Sequence, residues 1–169
     1  MNVATVMSSH VATAFPDSKV RELWRLLFVK HVNSIPVVDR RGALLGIITK
    51  EDLLKALYPD YQEYFTEATG VADFEVMENK VREMGNKKAS EIMNTKVIYT
   101  REDTPVMRAL SRMIVRSLNQ LPVLGADNKV IGVITKGDIF YALFKKSLKT
   151  VHRASVGKLA LNRKRASKR

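Results

Sequence analysis

The chain contains an internal repeat with a constant offset of 86 residues. Met7 aligns with Met93, and Asp52 aligns with Asp138. Fifteen of the 52 positions in the range 7–58 are identical to their counterparts, and the alignment needs no gap. A duplication of this length predicts two copies of one structural unit, which constrains the fold more than any other property of the chain.

Each copy has the pattern of a small α/β unit. Apolar residues at helical spacing occur at Val20, Leu23, Trp24, Leu27 and Phe28, and again at Val106, Leu110, Met113 and Ile114. Two short apolar runs follow, separated by a turn in which Gly42 or Asn128 can adopt positive φ. A second helix is expected after Thr49 and after Thr135. The predicted order is strand, helix, two strands, helix, repeated twice, and two such small units should pack on each other.

Short polar residues precede the first helix of each copy. Asp17-Ser18 and Asp103-Thr104-Pro105 predict helix starts that are capped by side-chain oxygens, with proline tolerated at the first position. We expect Met7 and Met93 to be core residues that close the short leading helix of their own repeat.

The repeats divide the chain into four expected parts. The first repeat takes 1–58, an acidic connector takes 59–88, the second repeat takes 89–144, and a basic helix extension and tail take 145–169. Within the connector, Asp73 to Met84 predicts a helix that Gly85 ends.

The duplicated pattern resembles the CBS-domain pair, also called a Bateman module. One motif is the apolar-Pro-Val turn at 35–39, present less completely at 121–125. The other is Gly-apolar-apolar-Thr-x-x-Asp at 46–52 and at 132–138. The resemblance implies two repeats around a pseudo-twofold axis, a cleft with up to two sites for adenine nucleotides or adenosyl ligands, and a disc-like homodimer.

The resemblance also implies the residues that hold the ligand. The first site uses Thr49 and Asp52 for ribose and phosphate, with Val11, Ala12, Ile35 and Pro36 near the base. The second site uses Thr135 and Asp138, with Val97, Ile98, Leu121 and Pro122 near the base. Lys50 and Lys136 are candidate phosphate contacts. A helix N-terminus suits phosphate, and an Asp carboxylate can accept hydrogen bonds from ribose hydroxyls.

A structural interpretation of the same residues is open. A threonine at a strand–helix junction can act as an N-cap, and an acid in the first helical turn is stabilising without any ligand. The two lysines can equally be solvated surface residues.

Catalytic constellations are missing from the sequence. The chain has no Cys, no nucleophile elbow and no phosphate-binding Walker loop, and its three His residues have no metal-ligand spacing. We therefore expect a non-catalytic regulatory module, without a metal or a covalent cofactor, that reports ligand binding to another protein.

The net charge of +12 belongs almost entirely to the C-terminal end. Residues 145–169 contain ten Lys or Arg and no acid, while the rest of the chain has 19 basic and 17 acidic residues. The tail predicts one of four roles: nonspecific nucleic-acid binding, contact with an anionic membrane surface, docking on an acidic protein patch, or simple solubilisation. The first role gives the alternative function, a nucleic-acid-binding protein that uses the tail while the pair of repeats serves as a dimerising scaffold. The candidate polyanion contacts are Lys158, Arg163, Lys164, Arg165, Lys168 and Arg169. No apolar run is long enough to span a membrane, so a cytoplasmic protein is expected.

Overall fold

The structure is a computed structural model that describes residues 1–57 and 74–148. Its helices are a 3-10 turn at Val3–Thr5, α1 (Val20–Trp24) continued by a π-helical turn at Arg25–Val29, α2 (Lys50–Leu57), α3 (Phe74–Asn86), α4 (Ala89–Ile92), α5 (Val106–Val115) and α6 (136–148). Its strands are β1 (Ser34–Val38), β2 (Leu44–Thr49), β3 (Thr100–Arg101), β4 (Gln120–Leu124) and β5 (Val130–Thr135).

A β-hairpin forms the centre of each repeat, and the two hairpins have the same register. β1 pairs antiparallel with β2 so that Ile35 opposes Ile48, and β4 pairs with β5 so that Leu121 opposes Ile134. The turn residues Gly42 and Asn128 have φ of 88° and 61°, which confirms the predicted turn position.

The predicted strand ahead of each first helix differs between the repeats. In the second repeat it is β3, which pairs parallel with Val123 and Leu124 of β4. In the first repeat it is reduced to one parallel bridge between Ala14 and Val37. The expected strand order is therefore confirmed in the second repeat and present only in outline in the first.

The predicted side-chain caps are wrong. α1 begins at Val20 and α5 at Val106, and neither cap residue makes a side-chain hydrogen bond to the helix. The hydroxyl of Ser18 instead accepts from the N–H of Phe15 at 3.0 Å, and that of Thr104 accepts from the N–H of Arg101 at 3.3 Å. Each hydroxyl accepts from the N–H three residues earlier in the chain, so it stabilises the turn that leads into the helix.

Each repeat has its own apolar core between its helices and its hairpin. In the first repeat the buried residues of the helices and strands are Val20, Leu23, Leu27, Ile35, Val37, Ile48, Leu53 and Leu57. In the second repeat they are Val106, Ala109, Leu110, Met113, Leu121, Val123, Ile134 and Ile139. The helical periodicity therefore identified most of each buried face, but Ile114, which was expected on the apolar face, is 61% exposed.

The leading segment of each repeat packs on the other repeat. The N–H of Val3 donates to Thr104 at 2.9 Å, and Ser8 bridges Val133 of β5. Reciprocally, the N–H of Ala89 donates to Ser18 at 2.8 Å. The expectation that Met7 and Met93 close their own repeats is wrong, because the chain crosses between the repeats.

Two glycines receive these exchanged segments. A Cβ on Gly132 would lie 2.6 Å from the carbonyl oxygen of Ser8 and 3.0 Å from Sδ of Met7. A Cβ on Gly46 would lie 2.6 Å from Sδ of Met93. The conserved position of the two glycines within the duplication therefore reflects a close approach of chain from the opposite repeat.

Repeat-equivalent residues meet each other along a pseudo-twofold axis. Gln120 donates a side-chain hydrogen bond to the hydroxyl of Ser34, its counterpart 86 residues earlier. Ala43 bridges Lys129, which is also its counterpart. Contact between equivalent positions is possible only next to a twofold axis, so the expected symmetry is confirmed.

The connector is described only from residue 74 onward. α3 runs through Gly85 to Asn86, slightly past its predicted end, and buries Met84 in the core of the first repeat. The rest of the predicted connector, 59–73, lies outside the described residues. Within 1–57 and 74–148, no helix combines the length and the apolar composition of a membrane span.

We predict that Gly132→Ala costs more stability than Gly46→Ala. A new Cβ at 132 meets a backbone carbonyl that is held in a bridge, whereas one at 46 meets the side chain of Met93, which can move more easily than backbone. The expected losses in unfolding free energy are about 2 kcal/mol and about 1 kcal/mol, respectively, measured by urea denaturation. Gly137→Ala is the control, since its Cβ meets only the Thr135 hydroxyl at 3.5 Å and should cost nothing. Equal losses at 46 and 132 would contradict the asymmetry.

Candidate ligand-binding cleft

The Thr-x-x-Asp motif forms a reciprocal capping box at the start of α2. The N–H and the hydroxyl of Thr49 donate to Oδ2 of Asp52 at 2.8 and 2.7 Å. The N–H of Asp52 donates in return to the Thr49 hydroxyl at 3.2 Å. Each side chain thereby satisfies a backbone donor of the first helical turn.

The same capping box starts α6. The N–H and the hydroxyl of Thr135 donate to Oδ2 of Asp138 at 2.9 and 2.8 Å, and the N–H of Asp138 donates back at 3.0 Å. Duplicated retention of both side chains therefore has a structural explanation. In both boxes Oδ2 accepts the two bonds, and within the described part of the chain no donor is hydrogen-bonded to Oδ1.

A cavity of about 540 Å³ lies between the two repeats at the first capping box. Thr49, Lys50 and Asp52 line it from the first repeat, and Val97 and Ile98 line it from the segment that leads into β3. The structure thus brings five predicted site residues together. Polar residues that flank the strands complete the wall, among them Ser34, Asn94, Asn119 and Gln120.

The grouping of these residues differs from the sequence prediction. Thr49 and Asp52 were expected beside Val11 and Ala12, whereas they share the cavity with residues assigned to the second site. The reason is the crossing of the chain: after pairing with Ile47 through Asn94, the segment returns to its own repeat across the cleft. The offset of 86 residues identifies which residues are equivalent in the two repeats, but it does not show which repeat each residue faces.

Four predicted base contacts lie away from the cavity. Ile35 and Leu121 have no exposed surface and belong to the two cores. Pro36 and Pro122 are buried within β1 and β4.

The second predicted site has the same local geometry at Thr135, Lys136 and Asp138, all half-buried. Val11 and Ala12 occupy the positions equivalent to Val97 and Ile98, so the pseudo-twofold axis relates them to the opposite end of the cleft. A ligand site there stays a prediction.

The two ends of the cleft differ in charge. Lys50, Glu51, Lys55 and Lys96 line the cavity at the first capping box. Their counterparts are Lys136, Gly137, Tyr141 and His10, so three of the four charged positions are not repeated. The Nζ of Lys50 lies 5.8 Å from the ring centroid of Phe28, within cation–π range.

Several wall residues were missed by sequence reasoning. Ser117 has φ of 52° and its counterpart His31 has φ of 55°, so both loops before the hairpins turn in the same unusual way. This loop places Ser117, Leu118 and Asn119 against the cavity. Asparagine stands at both 33 and 119 and is typical of turns, but nothing in the sequence showed that this turn faces the cleft between the repeats.

The predictions for residues 149–169 of the tail lie outside the described residues, which stop at 148 on this side. This holds for Lys158, Arg163, Lys164, Arg165, Lys168 and Arg169, and the nucleic-acid alternative stays a prediction. Within the described ranges, no cluster of three or more His, Cys, Asp or Glu could hold a metal ion.

Comparison with protein families gives one match that covers both repeats. The model for the CBS domain matches residues 3–59 and 89–145. A CBS domain-containing protein of Dictyostelium discoideum is 28% identical over 143 residues, which cover 85% of this chain and 91% of that protein.

Matches to enzymes cover only part of those enzymes. The L-aspartate semialdehyde sulfurtransferase of Methanocaldococcus jannaschii is 29% identical over 137 residues, which are 81% of this chain and 22% of the enzyme. The chain spans 22 to 23% of the length of this enzyme, two archaeal homoserine O-acetyltransferases and an inosine-5'-monophosphate dehydrogenase.

Two solved structures have the same architecture. The CBS domain pair of protein MJ0100, in complex with 5'-methylthioadenosine and S-adenosyl-L-methionine, superposes with a TM-score of 0.64 and 28% identity and covers 86% of this chain and 98% of that chain. CBSX2 of Arabidopsis thaliana, in complex with AMP, superposes with a TM-score of 0.66 and 24% identity over 86% and 98% of the chains. The likeness to CBSX2, at 24% identity, shows a shared fold.

We predict that the capping box at 49 and 52 contributes to folding stability without any ligand. Thr49→Val and Asp52→Ala should each lower the unfolding free energy by about 1 kcal/mol, since each leaves a helix donor unsatisfied. The double variant should lose less than the sum, because the two side chains share their hydrogen bonds. Urea denaturation of the four proteins measures this coupling. Strictly additive losses would contradict the reciprocal box.

Proposed function

We propose a function on the premise that the matches establish: this chain belongs to the CBS domain family, whose model covers both of its repeats. In this proposal the chain is a non-catalytic regulatory module. It binds an adenosine-containing ligand in the cleft between the repeats, and a partner protein responds to the occupied form.

The single observation that carries the proposal is the position of the first capping box at the wall of a cavity. Oδ2 of Asp52 accepts the two hydrogen bonds from Thr49 at the start of α2, and Oδ1 has no hydrogen-bond partner among the described residues. Such an oxygen can accept hydrogen bonds from ribose hydroxyls. Val97 and Ile98 line the same cavity and offer an apolar surface for a flat base.

The solved relatives support the class of ligand. The CBS pair of MJ0100, which is 28% identical, was crystallised with 5'-methylthioadenosine and S-adenosyl-L-methionine. Both molecules contain adenosine, so adenosine is the shared chemistry that we carry over to this chain.

The partial matches to enzymes support a regulatory role. In the enzymes that match, the region similar to this chain is about a quarter of the protein. The D. discoideum protein, in contrast, is matched over 91% of its length. A CBS pair therefore occurs both beside other domains and nearly alone, as expected for a module that responds to a ligand and leaves the chemistry to a partner.

Signalling in this proposal depends on the two-repeat construction of the cleft. A ligand held by Asp52 on one repeat and by Val97 and Ile98 on the crossing segment favours one arrangement of the two repeats. The ligand shifts the population toward that arrangement, and the partner reads it. The proposal includes a cytoplasmic location and a homodimer; the exposed apolar residues Phe140, Phe144 and Leu148 of α6 support the dimer.

The experiment is a calorimetric titration of the full chain with AMP, ADP, ATP, S-adenosylmethionine and 5'-methylthioadenosine. The informative variant is Asp52→Asn. Its amide oxygen can keep both hydrogen bonds of the capping box, while an NH2 group, which is a hydrogen-bond donor, replaces the other oxygen. We expect Asp52→Asn to lower affinity about tenfold or more with little loss of stability.

Two matched variants accompany this titration. Asp138→Asn tests the second site in the same way, and it should leave binding at the first site unchanged. Asp103→Asn removes an exposed carboxylate outside the cleft and should have no effect. The proposed function fails if the wild-type chain binds none of the five ligands.

A further inference from the structure

A cavity of about 510 Å³ lies on the first repeat, where the segment before α1 meets the hairpin turn. Phe15, Pro16 and Asp17 line it from that segment, and Asp39 and Arg40 line it from the turn. The Phe15 side chain is exposed to solvent. None of these residues lines the cavity at the first capping box, so this is a separate surface. We call it the turn cavity.

The equivalent place in the second repeat is filled by an arginine. Arg101 is the counterpart of Phe15. Its Nη1 donates to the carbonyl oxygen of Gly125 at 3.2 Å, and its Nη2 donates to Oδ1 of Asn128 at 2.7 Å. The second repeat thus holds one guanidinium group against its hairpin turn with two hydrogen bonds.

The backbone has the same geometry at both places. The N–H of Phe15 donates to the Ser18 hydroxyl at 3.0 Å, and the N–H of Arg101 donates to the Thr104 hydroxyl at 3.3 Å. In both hairpin turns the first carbonyl oxygen accepts from the N–H three residues later, at 3.0 Å and at 3.1 Å. In the described part of the chain, however, no guanidinium group is hydrogen-bonded to the first-repeat turn. The first repeat therefore has the same turn without the arginine.

The side chains of the turn cavity suit a guanidinium group supplied from elsewhere. Asp39 stands where the second repeat has Gly125, so it adds a carboxylate at the turn. Its Oδ1 accepts from the N–H groups of Arg41 and Ala43 at 2.8 and 2.9 Å, and no donor among the described residues is hydrogen-bonded to Oδ2. A planar guanidinium can pair with such a carboxylate and stack on an aromatic ring such as that of Phe15.

The carboxylates of the turn cavity have no cationic partner in the described part of the chain. The ion pair that the described residues form joins Lys129 to Asp127. Arg40 lines the turn cavity, yet within residues 1–57 and 74–148 its side chain makes no hydrogen bond or ion pair with Asp17 or Asp39. The turn cavity therefore offers two carboxylates and an aromatic ring to a cation that the described residues do not supply.

The C-terminal segment of this chain matches the turn cavity in charge. Residues 149–169 contain four arginines, four lysines and no acidic residue. A chain of this length can span up to about 70 Å when extended, which is more than twice the diameter of a small domain. The segment is therefore long enough to reach the turn cavity of its own chain or of a second copy.

We propose that the turn cavity is a binding site for an arginine side chain, and that its occupant is an arginine of residues 149–169. The guanidinium pairs with Asp17 and Asp39 and stacks on Phe15, in the place that Arg101 takes in the second repeat. The binding site does not depend on a ligand in the cleft, since the turn cavity shares no residue with the cavity at Asp52. It gives the basic tail a defined partner within this protein.

The test places one nitroxide spin label in the tail of the full chain and records the broadening of backbone amide signals by NMR. The chain has no Cys, so Ser167→Cys provides a unique attachment point. We expect broadening centred on residues 15–18 and 39–42. Mixing spin-labelled chains with isotope-labelled chains that carry no spin label distinguishes contact within one chain from contact between two copies, and either contact supports the proposal.

Two sets of substitutions at the turn cavity should release the tail. Phe15→Arg supplies the guanidinium from the first repeat itself, as Arg101 does in the second. Asp17→Asn plus Asp39→Asn removes both negative charges, while the amide oxygen at 39 can keep the two turn hydrogen bonds. Each should lower the equilibrium constant for tail binding about fivefold, as read from the broadening.

Two further proteins make this test specific. Asp103→Asn plus Asp127→Asn removes two exposed carboxylates from the second repeat and should leave the broadening unchanged. Replacing the four tail arginines with lysine keeps the charge of the tail. It should nevertheless weaken binding about fivefold, because an ammonium group lacks the planar fork of donors.

Three results would overturn the proposal. They are a wild-type chain without broadening at the turn cavity, broadening spread evenly over the acidic surfaces, and a lysine tail that binds as well as the arginine tail. Each of them leaves the proposed function intact, because the ligand titration does not depend on where the tail lies.

Discussion

The exchange of leading segments between the repeats is the constraint on which the cleft depends. Each segment first packs on the opposite hairpin, at Gly46 or Gly132, and then crosses back to its own sheet. A side chain at Gly132 would overlap the carbonyl oxygen of Ser8, so backbone atoms fix how closely the leading segment approaches the hairpin. Because the chain must cross, residues 94–99 become a wall of the space between the repeats. The same stretch of chain therefore joins the repeats and lines the cleft between them.

The capping box at 49 and 52 contributes to folding stability and also lines the cavity. Thr49 and Asp52 stabilise the start of α2 whether or not a ligand is present, because their hydrogen bonds are internal. Their duplication by itself therefore says little about nucleotides. What separates the binding interpretation from the structural one is the place of the box at a cavity and the unused Oδ1 of Asp52. One carboxylate can serve both purposes, since its two oxygens have different tasks.

Local patterns predicted most of each repeat and little of how the repeats meet. Helical spacing identified most of the buried faces of α1 and α5, with Ile114 as an exposed exception, and Gly42 and Asn128 identified the hairpin turns, since these features depend on neighbouring residues. The partners of Val97 and Ile98 depend on which repeat the crossing segment faces, and no local signal encodes that choice. Ile35 and Leu121 were assigned to ligand sites through family resemblance, although an apolar run is equally typical of a buried strand, which is what they form.

Symmetry in the fold coexists with asymmetry in the chemistry. The hairpin registers and the capping boxes repeat almost perfectly. The charged wall does not, since Glu51, Lys55 and Lys96 face one end of the cleft while Gly137, Tyr141 and His10 are their counterparts. A residue under selection for packing alone should vary within its size and polarity class. The change from Glu22 and Leu26 to Arg108 and Arg112 goes beyond such variation, since two positive charges stand where the first repeat has an acid and a partly buried leucine. The duplicated frame therefore gives the two ends of the cleft the same backbone geometry, while the side chains around them give the two ends different charges.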